Sequence, residues 1–117
     1  KCKFIVIPCN TAHYWYDDLQ KKIKLPIINM PKEVFNHAIK KCKKGSSIGL
    51  LATEGTLKTS VYNKFFNKDY NLIYPNIFTQ KNSVNKAIKL VKMGKVKAAN
   101  IIIKTAIDYL IKKNVKK

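Results

Sequence analysis

Apolar and polar positions along this chain follow two periods, and the switches between them predict its elements. Lys3 to Ile7 is a short β-branched and aromatic run that predicts a buried strand. From Thr11 to Ile23 the spacing turns helical, with Ala12, Trp15 or Tyr16, Leu19 and Ile23 on one face. Pro26-Ile27-Ile28-Asn29-Met30 predicts a second short strand closed by Pro31, which suits the first turn of a helix through Val34, Phe35, Ala38 and Ile39. Gly45-Ser46-Ser47 breaks that helix. Ile48-Gly49-Leu50-Leu51-Ala52 predicts a third strand, which runs into Thr53-Glu54-Gly55-Thr56 and then one helix carrying Val61, Tyr62, Phe65 and Phe66. Tyr70 to Tyr74 predicts a fourth strand, ended by Pro75. Ser83 to Met93 is helical, with Val84, Ala87, Ile88 and Val91 in phase. Gly94 interrupts, and Ala98 to Lys113 predicts a long amphipathic helix with Ala99, Ile102, Ile103, Ala106 and Leu110 inward.

Strands that alternate with helices imply parallel strands joined by helical crossovers, an α/β fold with a parallel sheet flanked by helices. In such folds ligands collect at the carboxyl ends of the strands. Two polar loops fall there: Cys9-Asn10-Thr11 after the first strand and Thr53-Glu54-Gly55-Thr56 after the third. Together they suggest one small anionic ligand.

Composition bounds the class. The chain has 117 residues, which suits one small domain or part of a larger one. Hydrophobic residues make up 46% and charged residues 26%, a mixture that folds rather than stays disordered. The longest apolar runs, such as Ile101-Ile102-Ile103, are far too short to span a bilayer. The first residue is Lys1, which leads straight into a strand with no apolar leader. The chain therefore reads as a cytoplasmic fragment or processed piece with no membrane partner.

A formal charge of +18 raises the question of nucleic acid. All 24 basic residues are Lys, whereas base and phosphate readers usually rely on the bidentate fork of Arg. The lysines are also scattered along helix faces (Lys40, Lys43, Lys44, Lys86, Lys89, Lys92, Lys95) rather than gathered into one arm. We read the charge as compositional bias. A lysine-rich nucleic-acid module stays open as the alternative of another class, with Trp15 and Tyr16 as its stacking candidates.

The three cysteines are odd in number and lack metal or disulfide spacing, so no metal site is expected. Cys2 and Cys42 lie among lysines and read as incidental thiols. Cys9 differs, because Pro8-Cys9-Asn10-Thr11-Ala12-His13 stands between a strand and a helix start. Free N–H groups and partial positive charge at a helix start favour a thiolate. Asn10 and Thr11 add short polar side chains that can cap the helix or grip a carboxylate. His37 reads as a surface residue, and His13 taken alone as a first-turn residue bonded to a neighbouring loop.

These residues resemble a known family. Val6-Ile7-Pro8-Cys9-Asn10-Thr11-Ala12-His13 followed by Ile48-Gly49-Leu50-Leu51-Ala52-Thr53-Glu54-Gly55-Thr56 is similar to the aspartate/glutamate racemase superfamily, nearest its aspartate branch. The likeness runs on through Pro26-Ile27-Ile28-Asn29-Met30, Tyr62, Pro75, Gln80 and Val91-Lys92-Met93-Gly94. It implies racemisation of an amino acid without a cofactor, by two cysteines on opposite faces of the α-carbon. Cys9 would be one of them. Asn10, Thr11, Thr53, Gly55 and Thr56 would hold the α-carboxylate and accommodate charge that spreads into it. His13 would join the substrate-binding residues and mark the aspartate branch, and Lys92 would bind the side-chain carboxylate of aspartate. A homodimer is usual for the family.

The family's second cysteine, in a Gly-Cys-Thr-type loop, and its opening Gly-rich loop are not matched, and neither Cys2 nor Cys42 stands where the second cysteine belongs. The chain is thus expected to be about half of a two-domain enzyme and inactive alone, with residues 1–25 closing the first domain's sheet and 26–117 mostly in the second. Glutamate racemase, broad-specificity racemase, hydantoin racemase and maleate isomerase stay open as alternatives within the superfamily.

Overall fold

A computed structural model describes residues 1–66 and 69–113. They form an α/β structure in which every strand pairing is parallel. The chain divides into two compact units. The first holds Lys1–Lys44 together with the segment from Glu54, and the second Gly45–Thr53 together with the segment from Asp69. Among the described residues, no helix is long and apolar enough to cross a membrane.

In the first unit, β1 (Ile5–Val6) leads into a 3₁₀ turn (Thr11–Trp15) and then α1 (Tyr16–Lys22). β2 (Ile27–Ile28) follows and pairs with β1 in the register Ile5 with Ile27 and Val6 with Ile28. The segment from residue 26, expected beyond the first domain's sheet, thus pairs with β1 inside one unit. α2 (Met30–Ile39) starts as its sequence demands. The Asn29 side chain accepts from the Lys32 N–H, and Pro31 occupies the first turn, where its missing N–H is not needed. The helix expected through Val61 and Phe66 is two pieces, α3 (Glu54–Thr59) and α4 (Asn63–Phe66). Ser60 separates them with φ 53°, a left-handed conformation that ends α3 and turns Val61 and Tyr62 inward, where both are buried. Phe66 is 2% exposed and meets Phe35 edge to face at 5.0 Å. Burying a side chain of this size is worth about 1.5–3 kcal/mol, and the ring geometry adds about 0.5–1.5. Trp15, a candidate for the inner face, lies exposed against Tyr14, while Tyr16 turns in and donates its hydroxyl to Ile27 O at 3.1 Å.

In the second unit, β3 (Ser47–Gly49) pairs with β4 (Asn71–Ile73), and the ladder continues through Leu50 N–H to Ile73 O. The helix expected from Ser83 begins earlier, at α5 (Ile77–Thr79), which Asn76 caps by accepting from the Thr79 N–H. It passes through a π-helical stretch, Gln80–Asn85, into α6 (Lys86–Lys92). Gln80 and Asn85 stand five residues apart, one π turn, and Gln80 Nε2 donates to Asn85 Oδ1 and to Ala52 O, both at 2.9 Å. α7 (Val96–Lys112) presents Ala99, Ala106 and Leu110 to the interior, and the Ser83 hydroxyl donates to Ile102 O at 2.6 Å. Val91, in phase with Val84 and Ala87, is nevertheless exposed, one residue before the end of α6.

Gly94 ends α6 with φ 75°. Its N–H bonds Val91 O and the Lys95 N–H bonds Leu90 O, the paired bonds of a Schellman cap. A methyl group there would meet nothing within 4 Å, so a substitution tests the backbone alone. Gly94→Ala should therefore cost about 1 kcal/mol in chemical denaturation, from the left-handed φ, and Gly94→Asn less.

Candidate active site

The turn after β1 is built by its own sequence. Pro8, whose ring holds φ near the value a tight turn needs, lets the Cys9 N–H reach back to Ile7 O at 2.8 Å. The 3₁₀ turn then opens with the His13 N–H on Asn10 O at 3.1 Å. Asn10 occupies the cap position in helical conformation, and its side chain makes no capping bond. The cap expected from Asn10 is thus absent, because the Asn10 side chain is engaged elsewhere.

Each residue of Cys9-Asn10-Thr11 is tethered by a different partner. His13 Nδ1 donates to Cys9 O at 2.8 Å. The Tyr62 hydroxyl donates to Asn10 Oδ1 at 2.5 Å. Thr11 Oγ1 and Thr56 Oγ1 share a hydrogen bond of 3.0 Å. The three partners are nearly buried, at 7%, 6% and 3% exposed, whereas the Cys9 thiol is exposed. An exposed cysteine therefore sits on a backbone held from inside.

Both ring nitrogens of His13, expected among the substrate-binding residues, face backbone groups. A carbonyl only accepts, so Nδ1, facing Cys9 O, carries the hydrogen, while Nε2 faces both the Met30 N–H at 3.2 Å and, at the longer 3.4 Å, the Ile28 carbonyl. The ring bridges the Cys9 turn and the start of α2. Thr56 likewise supports Thr11, and Gly55 lies in the first turn of α3, where its carbonyl accepts from the Thr59 hydroxyl at 2.8 Å. Cys9, Asn10, Thr11, His13, Gly55 and Thr56 are thus gathered in the first unit. Thr53 and Lys92 belong to the second unit: Thr53 follows β3 and is exposed, and Lys92 is the exposed last residue of α6. Among the described residues, no group of three His, Cys, Asp or Glu could hold a metal ion.

Sequence reasoning had placed Tyr62 on an apolar helix face and missed its part in the site. The usable signal was its hydroxyl, since a buried Tyr needs a partner for it. Burial also pushes the Tyr62 phenol above its ordinary pKa.

The chain is similar to several known proteins. The broad specificity amino-acid racemase RacX of Bacillus subtilis is 33% identical over 61 residues, 52% of this chain and 26% of that protein. A glutamate racemase of Corynebacterium diphtheriae is 35% identical over 66 residues, 56% of this chain and 24% of that protein. Picrophilus torridus aspartate racemase shares the fold with a TM-score of 0.77 at 24% identity, over 97% of this chain and 46% of its own. The chain thus spans less than half the length of each. The family model for Asp/Glu/Hydantoin racemase matches residues 1–117, the entire sequence, and the chain belongs to that family.

Proposed function

We propose that the protein carrying this chain is an amino-acid racemase that needs no cofactor, acts on aspartate, and uses Cys9 as one of two proton-transferring cysteines. The observation that supports this reading most is the tethered turn: an exposed thiol followed by two carboxylate-gripping side chains, each braced from the interior. Membership of the racemase family supports the reaction class.

The steps use Cys9, Asn10 and Thr11 of this chain and a second cysteine that the family resemblance implies. Cys9 as thiolate takes the α-proton and becomes a thiol. The electron pair left on the α-carbon spreads into the α-carboxylate, where hydrogen-bond donors stabilise it. Asn10 Nδ2 supplies such donors. Either hydroxyl of the Thr11–Thr56 pair can donate to the other, and when Thr56 does, the Thr11 proton is left for the same carboxylate. A second cysteine, outside these 117 residues, gives its proton to the opposite face and ends as the thiolate. Relatives named as glutamate and broad-specificity racemases make glutamate the competing substrate. The roles of Thr53 and Lys92 rest on the family resemblance alone.

The intact protein should racemise L-aspartate faster than L-glutamate in a chirality assay over a panel of amino acids. The isolated 117-residue chain should show no turnover, and robust turnover by it would overturn the two-cysteine assignment. Cys9→Ala in the intact protein should lower turnover by at least about a hundredfold with helix content unchanged. Retained activity would make Cys9 structural. Lys92→Met should raise KM for aspartate with little change in kcat, and an unchanged KM would return Lys92 to the solvated lysines.

A further inference from the structure

We propose that Tyr62 is a positioning residue that sets which end of the Asn10 amide meets the substrate, keeping Oδ1 for itself and leaving the Nδ2 donors for the carboxylate. The inference rests on the racemase reading for its ligand, and on the geometry of the first unit for everything else.

A planar amide has two orientations of nearly equal shape and opposite chemistry. One end only accepts and the other only donates. A carboxylate is bound by the donor end and repelled by the other, so an Asn free to flip would spend part of its time facing the substrate wrongly. The separation from the Tyr62 oxygen, 2.5 Å, lies at the short end of O–H···O bonds and below the usual N–H···O range. The Asn10 atom facing Tyr62 is therefore Oδ1, and the phenol is the donor. Its one hydrogen is spent on Asn10, so Tyr62 acts through Asn10 and not on the substrate.

The ring itself is fixed. Ser60, in its left-handed conformation, turns the chain into the interior, and Tyr62 is 6% exposed, with its ring 6.4 Å from that of Phe66. The Tyr62 carbonyl opens α4 by accepting from the Phe65 and Phe66 N–H groups at 3.1 and 3.3 Å. Backbone and ring are thus both committed, and the hydroxyl has little freedom to follow a flipping amide. Burial raises the phenol pKa, so it remains protonated and a donor at neutral pH. Asn10 is half-buried, and its Nδ2 makes no hydrogen bond to another described residue.

The test is a double-mutant cycle in the intact protein, with Tyr62→Phe, Asn10→Ala and the pair, read as kcat and KM for aspartate. Beside it, the Asn10 side-chain amide is followed by nitrogen-15 NMR in the absence of substrate. Tyr62→Phe removes one oxygen and keeps the ring, so packing is preserved. It should lower kcat/KM about tenfold in the presence of Asn10 and have little effect once Asn10 is Ala. The Asn10 amide resonances should move or double in Tyr62→Phe. Equal losses in both backgrounds, or an amide signal indifferent to Tyr62→Phe, would overturn the proposal. Failure of the wild-type protein to racemise any amino acid would instead overturn the functional reading, while the amide signal still decides whether Tyr62 holds Asn10.

Discussion

The hydrogen bond from the Tyr62 hydroxyl to the Asn10 amide is the constraint around which the first unit is organised. A strand-end turn lies beyond the sheet ladder, so its polar groups must find partners elsewhere. Here they find them in residues that are themselves buried: Tyr62, His13 and Thr56. Removing such a partner would leave polar groups behind with little water to replace it, which makes these bonds costlier to lose than surface ones. The Lys64–Asp17 ion pair, at 2.7 Å but 60% and 64% exposed, is of the opposite kind and adds little.

The same constraint explains the irregular backbone. Continuing α3 through Ser60 would carry Tyr62 around a helix face. The left-handed break at Ser60 instead resets the direction of the chain and puts Val61 and Tyr62 inside. A bulkier or β-branched residue would resist that conformation, whereas Ser, which bonds back to Leu57 O, accepts it. In the second unit a π-helical stretch plays a comparable part, since it lets Gln80 reach both Asn85 and the carbonyl of Ala52 at the exit of β3.

Much of this was legible in the sequence, and the misses have physical causes. The order of strands and helices, their parallel pairing and the Cys9 turn between β1 and a helical segment all follow from periodicity and from Pro and Gly. The strand expected over Lys3 to Ile7 was overread in length and in burial, since only Ile5–Val6 is strand and Phe4 and Val6 are exposed. The single helix expected before Phe66 missed the break, because no Gly or Pro marks it. Val91 was misplaced because a helical period gives the phase of a face and not how far along the helix that face stays covered, and Val91 lies one residue from the end of α6. The contacts of His13 were not legible, since sequence spacing does not show that both ring nitrogens face backbone groups.

In this chain of the Asp/Glu/Hydantoin racemase family the cysteine turn is braced from three sides, which holds Cys9, Asn10 and Thr11 in one geometry. The central claim is that Cys9 moves the α-proton. The most direct test is to follow solvent deuterium entering the α-carbon of aspartate with the intact protein and with Cys9→Ala. The account predicts deuterium at the α-carbon with the wild-type protein and loss of that exchange in the variant. Undiminished exchange without the Cys9 sulfur would contradict it.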